Sequence, residues 1–241
     1  MLRIASACVA LQKIKVDGAC DIPCEESDLR LDMRIATAAG LSELPKSIRS
    51  LELSWSSPGS YEIPEVRSLN ESTEQDLLCI ALHKVSLQLQ DLVIFDMAVF
   101  PELFCPDGLP GSAEVYWPNL ETLDLDQIDD VSPSGALSRY GDGSSSEEVL
   151  IKHYIDDLYT SLGYATQRMP RLKNAKVELR SIDHELKVLF RNGQWILRVR
   201  VNKHYTPSSR FLEAWRVPGG CLQPCKGRGW QQASYTTWPP Q

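Results

Sequence analysis

One spacing of aliphatic residues recurs along the chain: an apolar residue, two others, a second apolar residue, one other, and a third. WPNLETLDLD, residues 117–126, contains one copy. On a β-strand the last two apolar side chains point to the same face, and the first enters the same core from the preceding turn. The spacing therefore predicts five strands that share one interior. The five triplets are Leu11, Ile14 and Val16; Ile48, Leu51 and Leu53; Leu89, Leu92 and Ile94; Leu120, Leu123 and Leu125; and Leu172, Ala175 and Val177.

Two helical patterns lie between these triplets. Residues 72–86 open with Ser72 and Gln75 at the spacing of a capping box, and their apolar positions follow helical intervals. Residues 145–169 show the same periodicity, and Pro170 ends the helix. Because a predicted strand follows each predicted helix, we expect parallel strands with helical returns.

The C-terminal third has a different pattern. Residues 185–201 contain two β-rich runs separated by Asn192-Gly193, which predicts a β-hairpin that covers the last open edge of the sheet. Residues 209–215 predict a short closing helix.

The fold class predicted is α/β: an irregular leucine-rich-repeat-like solenoid with parallel strands and helical returns, closed by a C-terminal β-hairpin. Stacking would bury the apolar face that one unit cannot cover alone. The triplets begin 31 to 52 residues apart, longer than the ~20–29 residues of regular repeats, so no regular horseshoe is expected. The domain is predicted to span residues 1–216. The Gly/Ser-rich stretch 132–146 and the segment 217–241, which is rich in Gly, Pro and Gln, are predicted to be disordered.

Charge and hydropathy narrow the class of partner. The formal net charge is −7, from 25 basic and 32 acidic side chains, which disfavours binding to a nucleic-acid backbone. In the densest basic stretch, residues 197–204, Leu197 and Val199 alternate with Arg198 and Arg200, as on a strand with one solvent-facing side. No run approaches the ~18 apolar residues of a membrane span, and the early apolar run is not followed by a convincing cleavage site. We expect an intracellular protein that binds no nucleic acid and no membrane.

The seven cysteines predict free thiols rather than a disulfide framework or a zinc site. Three stand among apolar neighbours and are expected to be buried. Two CxxxC pairs stand near opposite ends of the chain and lack the usual two-residue spacing of zinc ligands. No metal and no cofactor is therefore expected. The three expected buried thiols are Cys8, Cys79 and Cys105; the pairs are Cys20 with Cys24 and Cys221 with Cys225.

No pattern of catalytic residues emerges. Residues 124–130, DLDQIDD, begin like a calcium loop but lack its later Gly and Glu ligand positions. His153, Asp156 and Asp157 share one face of the predicted helix, which we interpret as a solvated face. Neither a nucleophile elbow nor a recognisable catalytic cysteine is present. The sequence thus predicts no enzyme, although a catalytic site too irregular for motif recognition stays open.

With these triplets, the stretch QRMPRLKNAKVELR and the closing RFLEAW, roughly residues 75–216 resemble uncharacterised filamentous-fungal proteins. That group combines an F-box-like N-terminal region with degenerate leucine-rich repeats. The resemblance implies an adaptor or scaffold role rather than catalysis. It also implies the alternative function of a substrate-recognition subunit in an SCF-type ubiquitin ligase, reached through a Skp1-like partner. The F-box itself is not found, since Leu44-Pro45 is followed by a predicted strand.

If the predicted strands are neighbours, the residues between their apolar positions form rows on one outward face. An apolar centre with a polar rim is typical of protein-binding surfaces. We therefore predict a protein or peptide partner on this face, unless another element covers Phe95. The first row is Lys15, Glu52, Val93, Asp124 and Lys176, and the second is Asp17, Ser54, Phe95, Asp126 and Glu178; the predicted binding residues among them are Glu52, Val93, Phe95, Asp124, Asp126, Lys176 and Glu178.

Overall fold

The computed structural model contains nine strands, four α-helices and two short 3₁₀ helices within the residues that it describes. The described residues are 10–17, 27–54, 75–106, 117–128, 145–179, 184–200, 205–225 and 229–239. The strands are β1 (Lys13–Asp17), β2 (Ser50–Ser54), β3 (Asp91–Phe95), β4 (Thr122–Ile128), β5 (Asn174–Leu179), β6 (His184–Arg191), β7 (Gln194–Arg200), β8 (Gln223–Pro224) and β9 (Trp230–Tyr235). The helices are α1 (Ser27–Ser42), α2 (Leu77–Ser86), α3 (Ser145–Thr166) and α4 (Ser209–Ala214), with 3₁₀ helices at Pro101–Leu103 and Pro218–Gly220.

All nine strands form one sheet in the order β1-β2-β3-β4-β5-β6-β7-β9-β8. Strands β1 to β5 are parallel neighbours, and every pairing from β5–β6 onward is antiparallel. The prediction of an α/β chain with parallel strands is confirmed. Helical returns connect β1 to β2, β2 to β3 and β4 to β5, while the described part of the β3–β4 connection holds only the 3₁₀ helix Pro101–Leu103.

The aliphatic triplets align across the parallel strands. The middle residues lie in one register row and the last residues in the next. All ten face the core, where nine are buried and Val16 is partly buried. The shared interior predicted from the spacing is thus confirmed. The first row is Ile14, Leu51, Leu92, Leu123 and Ala175; the second is Val16, Leu53, Ile94, Leu125 and Val177.

A repeated backbone turn precedes each of β2 to β5. One carbonyl of the preceding unit accepts hydrogen bonds from two successive N–H groups at the start of the next strand, with N···O distances of 2.6 to 3.2 Å. The first residue of each triplet is buried at this turn. The four shared acceptors are the carbonyls of Gln12, Arg49, Gln90 and Glu121.

Two helices differ from the sequence-based prediction. Helix α1 was not predicted, because its buried face contains the charged residue Arg34 while Ile35 is 41% exposed. Helix α2 begins after Asp76, whose carboxylate accepts a 2.7 Å hydrogen bond from the N–H of Cys79. Ser72 lies outside the described residues, and Gln75 precedes the helix rather than closing a capping box.

The β6–β7 hairpin is present, but it does not form the edge of the sheet. Asn192 and Gly193 both have positive φ values, 53° and 77°, as a type I′ turn requires. Strand β9 pairs with β7 along its whole length, and β8 pairs with β9. The expected closure by this hairpin is therefore corrected: two further strands extend the sheet.

The structure also differs from the disorder predicted for residues 217–241. Within that segment, residues 217–225 and 229–239 are described and contain β8 and β9. The composition concealed a strand because Trp230 lies in an outward position of β9 and Gln231 in an inward one, and only Ala233 and Tyr235 of this strand are buried. Of the predicted loop 132–146, residues 132–144 lie outside the described residues, and the last two begin α3.

Candidate functional site

The predicted surface residues share the face of the sheet that points away from the buried rows; we call it the outer face. The register places both predicted rows side by side and continues them into the antiparallel strands, which the triplets could not reveal. A register shift in β4, between Leu125 and Ile128, offsets the second row at β5. The first row is Lys15, Glu52, Val93, Asp124, Lys176, Lys187, Arg198 and Gln232; the second is Asp17, Ser54, Phe95, Asp126, then Glu178, Glu185, Arg200 and Trp230.

Val93 and Phe95 are the apolar residues of this face on the parallel strands, and Leu189 and Ile196 are partly exposed apolar residues on its antiparallel strands. Val93 and Phe95 are both partly exposed at the middle of the parallel strands, so Phe95 keeps solvent-accessible surface. The neighbouring strands β2 and β4 present only acidic and neutral residues outward, among them Glu52, Asp124 and Asp126. The outer face of β2 to β4 therefore has an apolar centre with acidic residues beside it.

Ion pairs connect several of the predicted residues. Lys15 Nζ lies 2.6 Å from a carboxylate oxygen of Glu52. Lys176 Nζ lies 2.8 Å from both Asp126 Oδ1 and Glu178 Oε2. Burial lowers the pKa of Lys176, but the hydrogen bonds to these two carboxylates more than offset that effect, so its pKa is raised. Lys176 is therefore fully charged at neutral pH and has its partners within the face.

Asp124 differs from its neighbours because it forms no ion pair with the residues that the structure describes. Its Oδ1 atom is buried and accepts no hydrogen bond. Burial raises the pKa of Asp124, the nearby Lys176 ammonium lowers it, and the carboxylates of Asp126 and Glu178 raise it further. The residue as a whole is partly exposed, so Asp124 is a position at which a partner could contact the accessible part of the side chain.

The antiparallel strands contribute a basic and aromatic area to the same face. Lys187 Nζ and Arg200 Cζ lie 5.9 and 5.7 Å from the centre of the Trp230 ring, within the range of cation–π attraction. The buried Glu185 forms ion pairs with both cations, with 4.0 Å between its Oε2 and Arg200 Nε. Trp230 and these cations were absent from the predicted site because the triplets end at β5.

Arg198 is the cationic counterpart of Asp124. Its Nε atom is buried and has no hydrogen-bond partner. The register places Lys176, Lys187 and Arg198 directly opposite one another on three adjacent strands, an arrangement in which like charges destabilise the sheet. Glu178 and Glu185 neutralise the two lysines, which leaves Arg198 as the uncompensated cation of that row. The alternation of Arg198 and Arg200 with buried Leu197 and Val199 confirms the prediction of a strand with one solvent-facing side.

The remaining candidate residues form no second site. Asp156 is buried and accepts hydrogen bonds from Tyr205 Oη at 3.1 Å and Ser208 Oγ at 2.6 Å. The solvated face predicted for it is therefore wrong, because it anchors the segment before α4. His153 and Asp157 do lie together, with 3.1 Å between Nε2 and Oδ2.

Four cysteines lie in the described part of the chain, and none of them forms a disulfide there. Cys79 is buried as predicted, whereas Cys105 is only partly buried. Within the described ranges, no three His, Cys, Asp or Glu side chains are grouped so that they could hold a metal ion. The other three cysteines, Cys8, Cys20 and Cys24, lie outside the described residues.

Comparison with known proteins gives no assignment: no family model, no curated protein and no solved structure matches this chain. Among the helices of the described ranges, none combines the length and apolar character that crossing a membrane requires.

Proposed function

We propose that this protein is a non-enzymatic protein-interaction module that binds a protein or peptide on the outer face of β2–β5. Asp124 carries the proposal: its partly exposed acidic side chain stands next to the partly exposed Val93 and Phe95. A partner that contributes a donor and an apolar side chain would satisfy both parts of this surface.

We also propose that the parallel half is a short, irregular leucine-rich-repeat-like array. Its support is the repetition of one unit: a buried aliphatic triplet, a strand in register with the previous one, and a turn that shares one carbonyl acceptor with the next strand. In such an array the strand residues between the buried positions form one continuous surface, which here contains the proposed site.

The experiment first identifies a partner and then measures its affinity. A photo-crosslinking amino acid at Val93 captures proteins in the native cell, and mass spectrometry identifies them. The control places the same amino acid at Ile35, which is 41% exposed on α1, in the helical layer. We expect a partner captured from position 93 and not from position 35.

Binding of that purified partner is then measured with the Phe95→Ala and Asp124→Ala variants. Truncating residues at the centre of an interface weakens binding by about 2 kcal/mol or more, or roughly thirtyfold at 1.4 kcal/mol per factor of ten. Ile35→Ala is the matched apolar control and should leave the dissociation constant unchanged. Equal affinity of the wild type and both outer-face variants would contradict the proposed site.

A further inference from the structure

We infer that a second copy of this chain binds the outer face, as a symmetric dimer in which the acidic half of one sheet faces the basic half of the other. The inference rests on the proposed function, because it assigns a partner to the same surface.

Acidic and basic side chains occupy different halves of the outer face. Outward charges on β2 to β4 are all acidic: Glu52, Asp91, Asp124 and Asp126. Outward charges on β6 and β7 are mostly basic: Lys187, Arg191, Arg198 and Arg200, with Glu185.

A two-fold axis makes such a face complementary to itself. In a two-fold dimer, if one residue contacts a second, the second contacts the first across the interface. An axis parallel to the strands, midway between two facing sheets and passing between β5 and β6, places β4 opposite β7 of the second copy. The same axis places β3 opposite β9, because β9 follows β7 in the sheet.

This arrangement brings the Asp124 carboxylate of each copy opposite the Arg198 guanidinium of the other. Asp124 and Arg198 share one register row and stand on β4 and β7, three strand positions apart. The axis lies midway between them, so Asp124 of each copy faces Arg198 of the other. Both side chains are partly exposed, so the Asp124 carboxylate and the Arg198 guanidinium would form an opposite-charge contact twice per dimer.

Two further pairs follow from the second row. Asp126 on β4 lies near Arg200 of the second copy, displaced along the strand by the register shift in β4, which adds a second opposite-charge contact. Phe95 on β3 faces Trp230 of the second copy, which brings together the partly exposed aromatic side chains of the two halves. Aromatic residues and arginine are the types enriched at protein interfaces.

The strands at the axis carry like charges, but these are already neutralised within each chain. Lys176 faces Lys187 of the second copy, and Glu178 faces Glu185. Each of these lysines has a carboxylate partner in its own chain: Lys176 pairs with Glu178, and Lys187 with Glu185. The centre of the interface therefore contains ion pairs that form within each chain. Asp124 and Arg198, which can pair with the second copy, lie on either side of this centre.

The available area sets the strength of the dimer. Six strands, β3 to β7 and β9, at ~4.8 Å spacing and ~17 Å length give about 500 Å² per copy. The total of about 1,000 Å² lies at the lower limit for specific interfaces. We therefore expect a dissociation constant of about 1 to 100 μM that rises with salt, since ~0.5 M salt shortens electrostatic interactions to a few ångströms.

Sedimentation equilibrium of the full chain tests the dimer by charge reversal. Asp124→Arg and Arg198→Asp should each raise the dissociation constant tenfold or more, because each places like charges in both symmetric contacts. An equimolar mixture of the two variants should recover association, since every contact then joins Arg to Asp. The double variant Asp124→Arg/Arg198→Asp should also associate. The matched controls Glu43→Arg and Lys84→Asp alter exposed residues of the helical layer and should behave as the wild type.

Far-ultraviolet circular dichroism and thermal unfolding establish that each variant is folded. A wild type that stays monomeric at 27.1 kDa up to ~1 mM at low salt would overturn the inference. So would a mixture of the two single variants that associates no better than either alone. Such results leave the proposed function intact if crosslinking at Val93 still captures a different protein. Failure of that capture, with the dimer also absent, would remove both.

Discussion

The parallel and antiparallel halves of the sheet build the same core in different ways. Strands β1 to β5 repeat an aliphatic ladder in which each rung is the same type of residue at the same register. Strands β6 to β9 have no such repeat, and aromatic contacts such as Trp195–Trp238, at 5.0 Å between ring centres, pack their inner side instead. Both halves nevertheless contribute to one buried cluster. The comparison shows that a repetitive array can end in strands of unrelated sequence, provided that they continue its buried face.

The largest effect is expected from the ion pair that joins the helices of the parallel half. Arg34 is 1% exposed on α1, and its Nη2 lies 2.8 Å from Asp76 Oδ1 at the start of α2. Arg34→Ala leaves a buried carboxylate without its cation and should lower the free energy of unfolding by about 3–5 kcal/mol. Chemical denaturation measures the loss. As a control, Lys173→Ala removes an exposed pair with Glu121 and should change stability by less than about 1 kcal/mol; equal losses would contradict the buried role of Arg34.

The next prediction compares the two halves directly. Leu123 in β4 and Leu197 in β7 are both fully buried. Leu123→Ala and Leu197→Ala should each lower the free energy of unfolding by about 2–5 kcal/mol, and each variant should unfold in a single transition because the halves share one core. Circular dichroism and tryptophan fluorescence report the transition. If the Leu197→Ala variant unfolds in two separated steps, the halves are independent units, which would contradict a shared core.

A smaller effect is expected at the contact between α3 and α4, where the two halves meet. An ideal Cβ at Gly163 would lie 2.8 Å from Trp215 Nε1, and that indole donates a 3.0 Å hydrogen bond to the Tyr159 carbonyl. Gly163→Ala should therefore destabilise the protein by about 1–3 kcal/mol through overpacking. In an unobstructed helix the same change would stabilise it by about 1 kcal/mol. A melting temperature above that of the wild type would show that the close packing of Trp215 is not required.

The smallest effect concerns the pH dependence of the parallel half. Burial raises the pKa of Glu102, and the nearby Asp76 carboxylate raises it further. The fold thus stabilises the neutral acid relative to the carboxylate more than the unfolded chain does. Its stabilising contribution is fully present below the ordinary value of 4.5 and is lost as the pH rises through the higher folded value. Glu102→Gln should remove this loss, so its stability relative to the wild type should increase with pH.

The control for that measurement is Glu43→Gln, which changes an exposed carboxylate in the same half. Its difference from the wild type should stay constant over the same pH range. A constant difference for Glu102→Gln as well would show that the Glu102 carboxyl does not titrate differently in the folded chain.

The sequence predicted the parts of the fold in which side-chain type and burial agree. The triplets gave the register of β1 to β5 because each buried position is aliphatic. Helix α1 was missed because Arg34 occupies its buried face, supported by Asp76 from a distant segment. Strand β9 was missed because Trp230 lies on its outward side and Gln231 on its inward side, so polar and apolar residues do not alternate there. Long-range partners decided both cases, and local periodicity does not encode them.

The candidate site was predicted to a similar extent. The rows on the parallel strands followed directly from the triplets, since the residues between buried positions must face outward. Their extension through Lys187, Arg198, Arg200 and Trp230 required the knowledge that β6, β7 and β9 continue the same sheet. The alternating arginines of β7 and the hairpin at Asn192 were the available signals for part of it. Nothing in the sequence indicated that Asp124 and Arg198 would stand in one row without partners.

The shared carbonyls before β2 to β5 have a consequence for how such a chain can change. The acceptors belong to Gln12, Arg49, Gln90 and Glu121, and the bonds use only main-chain atoms, so no particular side chain is needed to fasten one strand to the next. Each segment between two of these shared hydrogen-bond acceptors can then lengthen or shorten without moving the strands. That freedom accounts for the unequal intervals between the triplets, and insertions in the returns should therefore leave the spacing of the strands on the outer face unchanged.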